Sequence, residues 1–361
     1  MSGECEVLVI GGGLIGASIA WRLGCAGAGV TLLEAGRLGG EASWAGAGML
    51  IPGSEFETAG GWRDFAFHSL QLYPGFVSKL ERESQVQLDF SVCGSLELAG
   101  SEQDWEQLRA QAARQASRGQ RNELLSAREV QSLMPLLRPD LEGGVFYPED
   151  AQADPRTLMA ALEKACLGRG VILRERCPVK RIRLKATGIE AETAAGWFKA
   201  TRAVLAAGAW STGIEMTAPD RLQPLPDCFP VRGHLLGYRL KPGSLPHIVR
   251  YGHTYLVQRR TGFTIAGTSE ERVGLDRSLD APVCADIAGR ARALAPGLIP
   301  ELHEEAWTGF RPGIDQPGPA VGRWGDTPLW LAYGHFRNGI LLAPATAERI
   351  ADGISASLER G

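Results

Sequence analysis

A glycine-rich turn near the N-terminus restricts the fold of this chain more than any other feature of its sequence. Residues 6–10, Glu-Val-Leu-Val-Ile, form a short run that is apolar after Glu6 and rich in β-branched side chains, and residues 11–16 follow at once as Gly-Gly-Gly-Leu-Ile-Gly. Residues 17–23 then have helical character, and after a glycine break residues 30–33 form a second apolar segment that ends at Glu34. The order strand, glycine turn, helix, strand predicts a parallel βαβ unit.

Three glycines of this turn have separate mechanical roles. Gly11 permits the tight turn, Gly13 lets the backbone approach a pyrophosphate, and Gly16 lets the helix pack closely on the strand. The helix N-terminus offers N–H groups and a partial positive charge to phosphates. Glu34 lies 21 positions after Gly13, where a carboxylate accepts hydrogen bonds from ribose hydroxyls. The unit predicts dinucleotide binding, with a purely structural turn as the alternative. The acid would repel the 2′-phosphate of NADP and leaves NAD and FAD open.

Composition and charge argue against several other classes of protein. The 361 residues are 44% hydrophobic and 22% charged, which is typical of a globular chain of two domains. A net charge of −3 gives no electrostatic footprint for nucleic acid. Seven scattered cysteines indicate reduced thiols in a cytoplasmic protein, and six histidines show no metal-ligand spacing. The N-terminus lacks a basic signal region, and glycines break the apolar stretch 7–20, so we expect no membrane contact.

Small residues dominate the segment that follows the βαβ unit. Residues 39–50 read Gly-Gly-Glu-Ala-Ser-Trp-Ala-Gly-Ala-Gly-Met-Leu. A backbone that passes close to a flat ligand needs such residues. The alternative is a flexible surface loop, which would carry more polar side chains. We therefore expect this segment to contact the ligand.

Seven separated segments resemble the D-amino acid oxidase family, and within it the glycine oxidases that serve thiamine biosynthesis. They keep the family's order over nearly the whole chain: residues 11–16, Glu34, and residues 39–50, 206–211, 230–233, 309–313 and 334–344. The last segment, Gly-His-Phe-Arg-Asn-Gly-Ile-Leu-Leu-Ala-Pro, is the most specific. The resemblance implies FAD and an amine-oxidising reaction. It also implies an α/β FAD-binding Rossmann-like domain beside an α+β substrate domain with an antiparallel sheet, the glutathione-reductase-like two-domain fold.

The remaining sequence pattern divides the chain between these two domains. Residues 254–259 and 263–266 predict an antiparallel hairpin. Residues 329–333 predict a strand that returns to the first sheet, followed by a final helix over residues 340–358 with Pro344 in its first turn. We expect a discontinuous FAD-binding domain and a discontinuous substrate-binding domain. Their approximate ranges are residues 1–80, 143–225 and 310–361 for the first, and residues 81–142 and 226–309 for the second.

The resemblance also implies which residues bind the cofactor. They are Gly11, Gly13, Leu14, Ile15, Gly16, Glu34, Ala35, Ala42, Ser43, Ala47, Gly48, Met49, Val179, Gly208, His335, Phe336, Arg337, Asn338, Gly339, Ile340 and Leu341. Val179 would contact the adenine side through its backbone, and the N-terminus of the final helix would face the flavin ring. Some relatives attach flavin through a cysteine just before the segment that matches residues 309–313. Residues 301–310 contain no cysteine and Cys284 is distant, so we expect non-covalent FAD.

Oxidation of an α-amino acid requires a clamp for the carboxylate and an aligned Cα–H. Arginine suits the clamp because its planar fork matches a carboxylate. By resemblance Arg311 is that ligand, Tyr255 supplies a hydroxyl near the same carboxylate, and Arg337 lies at the boundary of flavin and substrate. Arg311 precedes Pro312 and Gly313, which would stiffen a loop. The ordinary alternatives are a solvated arginine and a core tyrosine.

The expected reaction is oxidative deamination of glycine, or of a similarly small amino acid or N-substituted glycine. A hydride passes from Cα to flavin N5, the imine hydrolyses to glyoxylate and ammonia, and O2 is reduced to H2O2. One departure bears on the substrate, because a member of the family has an apolar, sulfur-containing side chain where this chain has Ser269 and Glu270.

Three alternatives to this reaction stay open. They are an oxidase of sarcosine or small D-amino acids, a dehydrogenase with another acceptor, and a tRNA-modifying flavoprotein. The last would need a basic RNA face, which this chain does not show. A thiazole-synthesis enzyme and a second copy of the chain stay open as partners.

Overall fold

The structure, a computed structural model, describes residues 3–55, 61–185, 188–217 and 223–359. The described residues form twenty strands and nine α-helices. The strands are β1 Gly3–Ile10, β2 Val30–Leu33, β3 Met49–Leu50, β4 Phe90–Ser91, β5 Ser95–Ala99, β6 Glu123–Ser126, β7 Gly143–Tyr147, β8 Ala151–Ala153, β9 Ile172–Arg174, β10 Val179–Lys185, β11 Gly188–Thr193, β12 Gly196–Leu205, β13 Glu215–Thr217, β14 Cys228–Arg239, β15 Ile248–Tyr251, β16 Thr254–Gln258, β17 Phe263–Gly267, β18 Glu305–Ile314, β19 Ala320–Arg323 and β20 Leu329–Tyr333.

The helices lie between these strands at irregular intervals along the chain. They are α1 Leu14–Cys25, α2 Ala42–Ala45, α3 Pro52–Glu55, α4 Trp62–Ser84, α5 Glu102–Ser117, α6 Ala127–Leu133, α7 Pro155–Gly168, α8 Ala281–Leu294 and α9 Gly339–Leu358. Short 3-10 turns cover Gly208–Gly213 and Phe336–Asn338. Among the described residues, no helix combines the length and the apolar character needed to cross a bilayer.

The first sheet has nine strands and a parallel centre in the order β9-β2-β1-β12-β20. Residues 7–10 of β1 and all of β2 are buried, as expected for parallel strands covered on both faces. Helices α1, α4, α7 and α9 pack together on one side with a common apolar core. Strands β10 and β11 extend the sheet in antiparallel fashion. This is the predicted Rossmann-like unit, and β20 joins it as expected.

The second sheet has eight strands in the order β18-β14-β17-β16-β15-β5-β7-β6. All of its pairs are antiparallel except β15 with β5. The predicted hairpin is β16 and β17, in which Tyr255 pairs with Gly267. Leu236, Tyr238 and Ile287 are fully buried between this sheet and α8. A third, short sheet joins β3, β8 and β4.

The domain ranges remain a proposal, and strand pairing favours two changes to it. Strand β7 pairs with β5 and β6, so the range that begins at residue 143 is better started after Tyr147. Strand β18 pairs with β14 along its whole length, so the range that begins at residue 310 is better started after Ile314. The outer limits, residues 1 and 361, lie outside the described residues.

Helix α9 begins at Gly339, so Pro344 lies in its second turn and not in the predicted first turn. There proline cannot donate a backbone hydrogen bond to the carbonyl of Ile340. The hydroxyl of Tyr73 on α4 donates to that carbonyl instead. Ser69, also on α4, donates to the Leu341 carbonyl at 2.7 Å and accepts from the N–H of Ala345 at 3.2 Å. Helix α4 therefore supplies a donor for the carbonyl that Pro344 leaves without a helical one, and it makes two more hydrogen bonds to the same turn of α9.

Candidate active site

Residues from both sheets line a cavity of about 710 Å³ that extends from the glycine turn to Arg311. All of the predicted cofactor residues line it except Gly16 and Leu341. Arg311, Tyr255 and Arg337 line it as well. The fold thus brings together predicted site residues that are up to 329 positions apart in sequence, counted from Gly11 to Ile340. Their roles as ligands remain a proposal.

Backbone geometry shapes the nucleotide end of the cavity. Gly11 follows β1 with φ of +107°, a conformation that strongly favours glycine. A Cβ on Gly11 would collide with the carbonyl of Ala206, just after the neighbouring strand β12. A Cβ on Gly16 would collide with the carbonyl oxygen of Gly11. Gly16 therefore lies behind the cavity wall and acts through the contact between helix and strand.

Glu34 follows β2 at the carboxyl end of the sheet. Its carboxylate accepts from the N–H groups of Gly12 and Gly36, each at 2.7 Å. Burial raises the pKa of Glu34, and the two backbone hydrogen bonds offset part of that rise. The carboxylate is therefore held at the edge of the cavity with a fixed orientation.

The segment 39–50 folds back over the N-terminus of α1. The Ser43 hydroxyl accepts from the N–H of Leu14 at 2.8 Å. Gly13, at the N-cap position, offers no capping side chain. A glycine turn, a helix N-terminus that lines the cavity and a fixed carboxylate after β2 form the set that a dinucleotide requires. The residues present therefore fit FAD.

The first turn of α9 lines the cavity with Gly339 and Ile340. Its N-cap residue, Asn338, makes no side-chain capping bond, so the positive end of the helix dipole faces the cavity. His335 is 4% exposed and its Nε2 lies 3.1 Å from the Thr346 hydroxyl. Burial lowers the pKa of His335 to about 3, so its ring is neutral. His335 therefore adds no positive charge to that of the helix N-terminus and of Arg337.

Arg311 lies within strand β18 and not in the loop that Pro312 and Gly313 suggested. The strand continues through Pro312 because it is an edge strand of the sheet, where a missing N–H is tolerated. Arg311 donates to the Thr268 hydroxyl at 2.7 Å and to the Ser269 carbonyl at 3.0 Å. A Cβ on Gly233 of β14 would lie 2.5–2.7 Å from the guanidinium. Gly233 therefore leaves the space that the Arg311 side chain occupies.

Tyr255 on β16 reaches the same region. Its ring occupies the space that a Cβ on Gly267, its partner on β17, would need. Burial raises the pKa of Tyr255, while the charge of Arg311 and a hydrogen bond with Thr268 act in the opposite direction. The Tyr255 hydroxyl and the Arg311 guanidinium thus share Thr268, and they can hold one carboxylate between them.

Arg337 follows β20 and forms an ion pair with Glu270 of the segment after β17. The two side chains are 38% and 46% exposed. The polar position noted in the sequence therefore faces the predicted flavin–substrate boundary and contacts one of the predicted site residues.

Sequence reasoning missed two residues that organise this site. Thr268 connects Arg311 to Tyr255, yet it is a single threonine after a strand and gives no signal. Arg259 is 4% exposed and donates to the Ala47 carbonyl at 2.6 Å and to Gln152 at 3.1 Å. Arg259 therefore joins the end of β16 to the segment 39–50. In sequence it precedes Arg260 in a hairpin turn, which is typical of solvated charges.

Known proteins share this architecture. Residues 6–353 match the family described as DAO, FAD dependent oxidoreductase. The chain is 31% identical over 350 residues to a glycine oxidase of Bacillus licheniformis, covering 96% of this chain and 92% of that protein. It is 33% identical over 359 residues to the bifunctional protein ThiO/ThiG of Synechocystis sp., covering 98% of this chain but 52% of that protein. The crystal structure of glycine oxidase from Geobacillus kaustophilus matches with a TM-score of 0.92 and 29% identity, covering 98% of this chain and 95% of that one.

Proposed function

Because the chain belongs to the FAD-dependent oxidoreductase family, we propose that it oxidises glycine, or a similarly small amino acid or N-substituted glycine, with FAD as cofactor. The observation that carries the proposal is the single cavity that joins the dinucleotide fold to Arg311, Tyr255 and Thr268. The full-length similarity to glycine oxidases supports it. The tRNA-modifying alternative is not favoured, because glycine oxidases match this chain over nearly its whole length.

The residues of this chain position the substrate. Arg311 binds its carboxylate through the guanidinium fork, and Thr268 and Ser269 fix the orientation of that fork. The Tyr255 hydroxyl donates to the same carboxylate. Bound FAD would supply the acceptor for the hydride from Cα, and O2 would then receive the two electrons, with H2O2 as the product. The N-terminus of α9 stabilises negative charge that develops beside it. With glycine as the substrate, the imine product takes up water and hydrolyses to glyoxylate and ammonia.

The absence of a suitable cysteine supports non-covalent binding of FAD. Among the cavity residues that the structure describes, Cys177 is the only cysteine. Its N–H donates to the Glu34 carbonyl at 2.8 Å, which places it at the nucleotide end. Cys284 lies on α8 and is buried in the core that this helix shares with the second sheet. Acid precipitation tests this point, since the flavin should stay in the supernatant and a yellow pellet would contradict the proposal.

A peroxide-coupled assay over a panel of small amines tests the function itself. Glycine, sarcosine, N-ethylglycine and D-alanine should release H2O2, with glycine yielding equal amounts of H2O2 and glyoxylate. Reduction of an artificial acceptor without H2O2 would identify a dehydrogenase. No turnover with any member of the panel would reject the proposal.

The bifunctional ThiO/ThiG relative supports a further part of the proposal. This chain spans about half of that protein. We propose that the oxidation product is used by a thiazole-synthesis enzyme, and that the protein acts in the cytoplasm. Co-purification of such an enzyme with the tagged protein from its native cells would support the partnership. If no such enzyme is recovered even after crosslinking, the result would count against the partnership.

A further inference from the structure

The ion pair of Arg337 and Glu270 lies where two cavities meet. Arg337 lines the cavity described above, and Glu270 lines a second cavity of about 1110 Å³. The two cavities share the residues of one β-turn, 252–254, together with Thr268. The ion pair therefore contributes to the wall between the substrate region and the second cavity.

Glu270 carries its negative charge into a region rich in positive charge. Burial raises the pKa of Glu270. A hydrogen bond from Arg337 and the charges of Arg337, Arg311 and His253 lower the pKa by more than burial raises it, so the pKa lies below its ordinary value. The carboxylate is therefore ionised at neutral pH. The Glu270 carboxylate forms with the Arg337 guanidinium the same kind of ion pair that a carboxylate on a bound molecule would form.

Folding stability does not explain this pair well. Both side chains are more than one third exposed, and exposed ion pairs contribute little to stability because water and salt screen them. The pair connects two segments that both border the site, since Glu270 follows Thr268 and Ser269, the partners of Arg311. The location of the ion pair therefore indicates a role in substrate binding.

We propose that Glu270 is a specificity-determining residue that limits the site to substrates with one carboxylate. This inference rests on the proposed function. Arg311 binds the α-carboxylate, while Glu270 occupies Arg337 and repels a second anionic group on the nitrogen or on Cα. If Glu270 lost its charge, Arg337 could bind that second group, and the site would accept dicarboxylic amines.

Substitution at position 270 tests the inference with two substrates that differ by one carboxylate, sarcosine and iminodiacetate. Glu270→Gln removes the charge and keeps the size, so the ratio of kcat/KM for iminodiacetate to that for sarcosine should rise about 10- to 100-fold, as expected for one gained charge-assisted hydrogen bond. Glu270→Asp keeps the charge and should keep the parental ratio. Glu304→Gln is the matched control, because Glu304 forms a similarly exposed ion pair with Arg239 away from the cavity.

Binding of unreactive ligands gives a second readout that does not depend on turnover. Malonate and acetate are titrated into each holoprotein while the flavin absorbance is followed. The affinity for malonate relative to acetate should rise about tenfold or more in Glu270→Gln and should stay constant in the other two variants. An unchanged malonate ratio in Glu270→Gln would overturn the inference. If the ratio rises while the parent oxidises no amine, the inference stands and the proposed function fails.

Discussion

The two ends of the main cavity are built in different ways. At the nucleotide end, the wall is mostly backbone, formed by the turn after β1, the N-terminus of α1 and the segment 39–50. At the substrate end, the wall is made of side chains, Arg311 and Tyr255 among them, which extend from strands far apart in sequence. Backbone at the first end is constrained as a unit, whereas each side chain at the second end can change alone. A variant at one end should therefore lose the cofactor, and a variant at the other should keep it and lose turnover.

Arg311→Ala should give the largest kinetic effect and the clearest separation of the two ends. Loss of two charge-assisted hydrogen bonds, each worth about 1.5–3 kcal/mol, should lower kcat/KM about 10²- to 10⁴-fold while FAD stays bound. Arg311→Lys should recover part of the loss, since the ammonium keeps the charge but not the fork.

Steady-state kinetics on glycine and on a simple alkylamine, with the flavin spectrum of each variant, test this prediction. The alkylamine should be a poor substrate that is indifferent to the substitution. Parental kcat/KM on glycine in Arg311→Ala would show that Arg311 does not bind the substrate.

Gly16→Val should have the opposite signature. The added side chain meets the Gly11 carbonyl, and relieving that contact costs about 1–3 kcal/mol. FAD affinity should fall about 5- to 100-fold, while added excess FAD should restore most of the turnover. Equilibrium dialysis of FAD measures the effect. Gly289→Ala is the control, because a Cβ there contacts nothing. Normal FAD affinity in Gly16→Val would remove the distinction between the two ends.

Tyr73→Phe should have the smallest of the three effects. It should weaken the first turn of α9, which lies between the two ends of the cavity. Removing the hydroxyl leaves the Ile340 carbonyl without its donor, which should cost about 1–2 kcal/mol of unfolding free energy. Thermal denaturation should show a Tm lower by a few degrees. Ser117→Ala, which removes an exposed hydroxyl, should leave Tm unchanged. An unchanged Tm in Tyr73→Phe would show that the carbonyl has another partner.

The same contrast explains what the sequence could predict. The βαβ unit, the hairpin of β16 and β17, and α9 follow from local patterns of apolar residues, glycines and proline. Arg311 was expected in a loop, because the long pairing of β18 with β14 depends on residues about 80 positions apart. The roles of Gly233 and Gly267, which leave space for Arg311 and Tyr255, depend on the same tertiary pairing. No local pattern predicts the burial of Arg259, because this residue is buried only when the end of β16 packs against the segment 39–50.

Anaerobic mixing of the yellow holoprotein with glycine tests the central claim most directly. The account predicts that glycine bleaches the visible absorbance of FAD in the parent and far more slowly in Arg311→Ala. Admission of air should then restore the colour, with one H2O2 and one glyoxylate formed for each glycine consumed. A spectrum that neither glycine nor any other small amino acid or N-substituted glycine bleaches would contradict the account.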